Sequence, residues 1–259
     1  MYPLIRLGPN TVIPTYFLVI AMAYCVCVYW VSIRSDKYNL PKKNMMDLCL
    51  LLMVTGFVGA RAFHVIYEMP EYYIKKPMEI FKFWNGGFVF YGGVIGAAIS
   101  TALYTRLKKL DVKKILSTFA PIIPLGYAIG RFATLLSGSG YGRPSSLPWA
   151  IIYPTGTEAP AGIALHPTPI YSMLWSLMGV VIVLLLQKGI FKKALHKAFF
   201  IMVMLHGFGR IIMEQFRDDF RGGALLGLSV SSWISITLIL GAVYFLLFPL
   251  EKQYNKASS

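Results

Sequence analysis

The chain reads as an all-α polytopic membrane protein with seven transmembrane helices, the N-terminus outside and the C-terminus cytoplasmic. Three observations predict this. First, 56% of the residues are hydrophobic and 14% are charged, whereas about a quarter of a soluble domain is charged. Second, seven apolar runs, at about 12–33, 46–67, 87–105, 115–133, 168–187, 198–213 and 229–249, approach the roughly 20 residues a spanning helix needs. Third, the cations alternate between the connecting loops.

Arg34, Lys37, Lys42 and Lys43 follow the first run, Arg106, Lys108, Lys109, Lys113 and Lys114 the third, and Lys188, Lys192, Lys193 and Lys197 the fifth, while Lys252 and Lys256 end the chain. The alternate segments hold Arg6, then Lys75, Lys76 and Lys82 offset by Glu68, Glu71 and Glu79, then Arg143, then Arg217 and Arg221 beside Asp218 and Asp219. An excess of Lys and Arg marks cytoplasmic loops, which fixes the orientation. Most of the net charge of +14 therefore sits next to the membrane, where it attracts anionic lipid. No basic patch is interleaved with aromatics on a soluble surface, so a nucleic-acid partner is not expected. No repeat or second domain is evident, and residues 1–259 read as a single integral-membrane domain.

Taken in order, the first run carries Tyr16, Cys25 and Cys27. Cysteines two apart point to different sides of a helix, so they do not suggest a shared metal, and with Cys49 they read as small apolar residues. The second run holds Gly56, Gly59 and Arg61 near its outward end. Its glycines permit close approach of a neighbouring helix, and Arg61 either snorkels to the headgroups or serves a site. The third run opens with Gly86-Gly87 and Gly92-Gly93 around Tyr91. Glycines weaken a helix by about 1 kcal/mol each against alanine, so something must approach the backbone there.

The fourth run passes Pro121, Pro124 and Gly126 and ends in Gly130-Arg131, followed by a Gly/Ser loop with Ser137, Ser139, Gly140, Gly142 and Arg143. An outward loop with little charge then runs from Pro148-Trp149 to His166-Pro167, and His166 reads as a cap or a site residue. The sixth run carries His206, Arg210 and Glu214, with Arg217 beyond; spacings of four and three put Arg210, Glu214 and Arg217 on one helical face. Arginine in mid-membrane costs about 2.5–3.5 kcal/mol on insertion scales and faces a bundle interior or a watery cavity. Charge and exposed backbone donors thus meet at one membrane edge after Arg131, chemistry suited to an anion.

This ordered set resembles the prolipoprotein diacylglyceryl transferase family, seven-helix enzymes of the bacterial inner membrane. The matching features are Tyr16, Gly59-x-Arg61, the paired glycines, Gly130-Arg131 before the glycine loop, Pro148-Trp149, His166-Pro167 with Tyr171, Arg210…Glu214…Arg217, and Leu226-Gly227-Leu228-Ser229. The resemblance implies transfer of a diacylglyceryl group from phosphatidylglycerol to the thiol of a lipobox cysteine in a prolipoprotein signal peptide, with release of glycerol phosphate. No cofactor or metal is implied; the partners are the phospholipid, the signal peptide and membrane lipids.

On that reading Arg131 and Arg210 clamp the phosphate, since bidentate guanidiniums suit it, and Tyr91 completes the catalytic set. Tyr16, Arg61, Gly92, Gly93, Ser139, Gly142, Arg143, His166, Glu214 and Arg217 form the substrate-binding set, with Glu214 orienting Arg210. The chain departs from the family pattern at Tyr91, where His is usual, at Thr134, Ser137 and Ser139, where Asn, Asn and Glu are usual, and at Ser172 and Ser232, where Glu and Gln are usual. Tyrosine is a poorer base than histidine at neutral pH, so Tyr91 reads as a hydrogen-bond donor. A transferase-like relative with another acceptor or phospholipid, or a non-catalytic lipid-binding protein, is the alternative.

Overall fold

The computed structural model describes residues 4–6, 12–218, 224–225 and 227–248. Asp219, Arg221, Leu226, Lys252 and Lys256, used in the readings above, lie outside the described residues. The protein is a predominantly helical membrane protein. A helix lies on each apolar run: α1 (Thr15–Lys37), α2 (Lys42–Phe63), α4 (Phe90–Leu107), the pair α5 (Val112–Phe119) and α6 (Ile122–Ser137), α7 (Thr168–Lys188), α8 (Lys197–Glu214) and α9 (Val230–Leu247). A short α3 (Pro70–Lys75) precedes α4.

Five described helical stretches are long and apolar enough to cross a membrane: Thr15–Lys37, Lys42–Glu68, Val112–Ser137, Thr168–Lys188 and Val230–Leu247. The two main helices that fall short are α4 and α8. Glycines and Arg106 dilute the first, and Lys197, Arg210 and Glu214 the second. Phe17, Val54, Leu103, Leu185 and Leu240 are exposed along their helices, as suits a surface solvated by acyl chains.

Two local departures have simple causes. The fourth run is broken between α5 and α6 at Ala120-Pro121, because proline supplies no N–H to continue the ladder. The third run begins as helix only at Phe90, because Gly86 and Gly87 take φ of 79° and 78°, outside the helical region.

The chain forms two compact units, Met1–Trp30 with Leu116–Ser259, and Val31–Ile115. The core of the second is the α2/α4 pair, joined at glycines. A Cβ on Gly59 would come within 2.5 Å of the Gly92 carbonyl oxygen, and one on Gly93 within 2.9 Å of that of Gly56. Thr55 and Ser100 share a 2.9 Å hydrogen bond across the same seam. The backbone approach expected at the paired glycines is, at Gly92-Gly93, the partner helix itself, the geometry small residues permit in a membrane.

In the first unit, α7 packs against α6 and α8, and α8 against α9. Gly207 admits Ile239 of α9, and Gly209 admits the Trp175 indole of α7, which donates a 2.8 Å hydrogen bond to the Leu205 carbonyl. Between α6 and α7 the loop is closed by the strand Ile151–Ile152 paired with Ala164–Leu165 over a small core of buried Tyr153, Ala159 and Leu165. The remaining two-residue strands, Ala224–Leu225 and Leu228–Ser229, pair ahead of α9, and at the N-terminus Leu4–Arg6 pairs with Val12–Pro14.

Candidate functional site

The first unit gathers most of the predicted residues where α6 and α8 end. Arg131, on the third turn of α6, donates a 2.5 Å hydrogen bond from Nη2 to the Tyr127 hydroxyl, and its Cζ lies 4.6 Å from that ring's centroid. The charges of Arg210 and Arg217 both act on Arg131. A Cβ on Gly140 would lie 3.6 Å from Arg131 Nη1 and 3.5 Å from Arg217 Nη2, so two guanidiniums meet over this one glycine of the loop.

Arg210 and Glu214, one turn apart on α8, stand 3.6 Å apart with side chains each 13% exposed. Glu214 also accepts a 3.1 Å hydrogen bond from Ser231. The Nη1 of Arg210 is buried without a hydrogen-bond partner among the described residues. Such an orphaned charged donor is costly, and it borders a narrow recess lined by Tyr127, Ser172, Trp175, His206 and Met213 among others. A second narrow recess shares Trp175, Ser176 and His206 with it. Ser172, which departs from the family's Glu, lines the first of them.

One expectation is corrected here. Arg217 does not share the α8 face with Arg210 and Glu214, because α8 ends at Glu214 and the chain turns at Gln215-Phe216. Arg217 instead forms a β-bridge with Gly142. Its neighbour Phe216 accepts a 2.9 Å hydrogen bond from the Arg143 amide, and the backbone of His166 pairs with Gly142 and Arg143. Three separate segments are thereby tied into one patch. A Cβ on Gly142 would fall within 2.7 Å of both the His166 and Phe216 carbonyl oxygens, so glycine is needed there.

The glycine loop also differs from expectation. Its amides at Ser139, Gly142 and Arg143 are bonded to the carbonyls of Thr134, His166 and Phe216, so these three are not the free anion donors that the sequence suggested. Ser139 and Ser137 hydroxyls bond each other at 2.8 Å. Gly138 takes φ of 78° to cap α6. His166 Nδ1 lies 3.2 Å from the Tyr171 hydroxyl, which also accepts from Trp149 Nε1 at 2.8 Å. Arg143 is exposed, and Tyr16 sits in the first turn of α1 against Phe17.

The second unit holds Arg61, Tyr91, Gly92 and Gly93. Arg61 is 8% exposed, and its five N–H groups go to carbonyls of the preceding loop: Glu79 at 2.8 Å, Ile80 at 3.2 Å, Lys82 at 3.4 Å, Gly87 at 3.2 Å, and Gly86. Its guanidinium also lies over Tyr73 and Phe88. Arg61 clasps the loop between α3 and α4. Tyr91 is half-buried in the first turn of α4 with its ring edge-on to Phe90, and Gly92 and Gly93 face α2 as described.

The sequence reading missed Tyr127 and Trp175, ordinary aromatics in a chain that is 15% aromatic. It also gave no part to His64, which is buried, lies 2.5 Å from Glu68 in the π-helical turn after α2, and meets Tyr73 edge-on. The spacing of four between Tyr127 and Arg131, and between His206 and Arg210, was the available signal.

A family model described as prolipoprotein diacylglyceryl transferase matches residues 3–248. The chain is 32% identical over 239 residues to the phosphatidylglycerol-prolipoprotein diacylglyceryl transferase of Clostridium tetani, covering 92% of this chain and 94% of that protein. It is 33% identical over 246 residues to the protein of the same name from Bordetella avium, covering 92% and 90%. With that of Bacillus cytotoxicus it shares 30% identity over 254 residues, covering 94% and 90%. A match over nearly the whole length, on a chain whose arginines gather beside a glycine loop, places it in the prolipoprotein diacylglyceryl transferase family.

Proposed function

We propose that this protein transfers the diacylglyceryl group of phosphatidylglycerol to the cysteine thiol of a prolipoprotein lipobox, releasing glycerol phosphate. The observation that carries the reading, beyond family membership, is the orphaned Arg210 Nη1 in the recess with Arg131 and Arg217 close by. The thiolate sulfur attacks the glyceryl carbon that bears the phosphate. An S–C bond forms, the C–O bond to phosphorus breaks, and its electron pair goes to the phosphate oxygen. The phosphodiester monoanion becomes a monoester with a second negative charge. Guanidiniums that bind this growing charge more tightly than the ground state lower the barrier.

In this assignment Arg131 and Arg210 form the clamp, Glu214 orients Arg210, and Arg217 adds charge from beyond α8. Ser139, Gly142, Arg143, His166 and Tyr16 border the path of lipid and signal peptide. Tyr91 serves as a hydrogen-bond donor to substrate, with Gly92, Gly93 and Arg61 shaping its surroundings. A free thiol has a pKa of about 8.5, so it needs only modest help to ionise, and the loss of a histidine at position 91 is tolerable. The chain acts as one integral-membrane domain over residues 1–259, with seven spans, the N-terminus outside and the site toward the outer side of the bacterial inner membrane. The alternation of cations among the loops supports this orientation.

The test uses purified protein in phosphatidylglycerol micelles with a lipobox peptide, following glycerol phosphate release and the peptide's mass gain. Both signals are expected, and both should vanish in folded Arg131→Ala and Arg210→Ala. Lipid binding without either signal in the wild type would refute the assignment.

A further inference from the structure

A guanidinium can be aimed by a carboxylate, which cancels its charge, or by a neutral acceptor, which does not. Arg210 has the first kind of partner, Glu214. Among the described residues Arg131 has no carboxylate within ion-pair distance. It is held instead by Tyr127, one turn earlier on α6, through the 2.5 Å hydrogen bond and the ring 4.6 Å beneath its Cζ. Two contacts from one side chain fix the plane of the guanidinium as well as its reach.

The Tyr127 ring is itself fixed. It meets the His206 imidazole edge-on, with centroids 4.8 Å apart and planes at 89°. His206 stands one turn before Arg210 on α8, as Tyr127 stands one turn before Arg131 on α6. Each of the two arginines therefore has an aromatic ring one turn below it, and the two rings abut. Both rings border the recess where Arg210 Nη1 is orphaned.

We propose that Tyr127 is a positioning residue of this site: its neutral phenol aims Arg131 at the ligand phosphate without neutralising it, and its contact with His206 sets the spacing of the two arginines. This rests on the phosphate-clamp reading above. It assigns to a tyrosine on α6 a role that neither the glycine loop nor the charged residues fulfil. Displacement of a clamp group by about 1 Å can cost on the order of 100-fold in rate, so the effect belongs in turnover rather than in folding.

The experiment compares wild type, Tyr127→Phe and Tyr127→Leu in phosphatidylglycerol micelles, measuring kcat, KM for lipid and peptide, thermal unfolding, and binding of dihexanoyl-phosphatidylglycerol. Tyr127→Phe keeps the ring and loses the acceptor. We expect its kcat to fall about 10- to 100-fold, with peptide KM and unfolding temperature unchanged, and Tyr127→Leu to weaken lipid binding as well. A kcat for Tyr127→Phe within about twofold of wild type overturns the inference, since a misplaced clamp costs far more. If wild type binds the lipid but transfers nothing, the transferase reading fails. The inference is then judged on affinity: weaker lipid binding by Tyr127→Phe supports it, and equal binding overturns it. A wild type that binds no phosphatidylglycerol removes both. Should Tyr127→Phe unfold, Tyr127→His, which keeps a ring and an acceptor nitrogen, is set against Tyr127→Leu. Greater activity in the His variant supports the inference, and equal activity overturns it.

Discussion

Removing the guanidinium of Arg61 should release the loop between α3 and α4. In the native protein five N–H groups reach five carbonyls between Glu79 and Gly87, and the cation also lies over Tyr73 and Phe88. In Arg61→Ala the loop can swing out and its carbonyls can take water, so each bond counts at its net value of about 0.5–1.5 kcal/mol. Five bonds give about 2.5–7.5 kcal/mol on that scale, and the lost ring contacts add about 0.5–1 kcal/mol. Some relaxation is unavoidable, so the expected loss is about 3–5 kcal/mol, inside that range.

Most of that loss is local, and the unfolding temperature of the whole chain is a poor gauge of it. Limited trypsin digestion is better, because Lys82 lies within the clasped loop and is half-buried. Where opening is fast relative to cleavage, the rate follows the population of the open form. A loss of 3 kcal/mol then raises cleavage after Lys82 by about 100-fold or more, each 1.4 kcal/mol being tenfold. Arg61→Lys keeps the charge but not the planar fork, so its cleavage rate should fall between the two. Equal cleavage of Arg61→Ala and wild type would refute the clasp and return Arg61 to the lipid-binding role read from the sequence.

Four further outcomes are expected. Gly59→Ala places a Cβ 2.5 Å from the Gly92 oxygen. Overpacking of about 1–3 kcal/mol should exceed the helix-propensity gain of about 1 kcal/mol, lowering the unfolding temperature in micelles. Gly142→Ala meets two backbone carbonyls, so it should abolish transfer while circular dichroism retains its helical signal. Glu214→Gln leaves Arg210 without its counter-charge. It should lower kcat about tenfold or more and destabilise by about 3 kcal/mol, measured by turnover and by unfolding in detergent.

Tyr153 is buried in the loop between α6 and α7, its hydroxyl without a partner among the described residues, and burial pushes its pKa up to about 12. An unfolded tyrosine titrates near 10. Its contribution to stability is therefore complete below about pH 10 and is lost as pH rises from there through about 12. Tyr153→Phe should be neutral or stabilising by about 1 kcal/mol at neutral pH and should flatten the alkaline decline in unfolding temperature.

The helices were legible in the sequence because a bilayer leaves few choices: backbone polar groups must be satisfied within the segment, and the apolar runs show where. Arg131 and Arg210 were legible because an arginine inside such a run needs a reason. The role of Arg61 was not, since its acceptors are loop carbonyls 18 to 26 residues later, and carbonyls leave no mark in composition. The paired glycines announced a close approach but not what approached. Arg217 was placed on a helical face because a spacing of three fits a helix. The chain turns one residue after Glu214, and spacing alone does not register the end of a helix.

By itself the sequence determined that this is a helical membrane protein, that several arginines lie within or beside its apolar runs, and that its ordered motifs are those of a diacylglyceryl transferase. Solvation decides those matters, and solvation is a property of each segment. Tertiary structure alone decided which of the arginines already has partners and which keeps a donor unused. Arg61 is fully spent on its own loop, Arg131 is held by a phenol that leaves its charge intact, and Arg210 keeps Nη1 without a partner among the described residues, beside a recess. Partners are settled by distance, and folding is what brings residues far apart in the chain within hydrogen-bond reach.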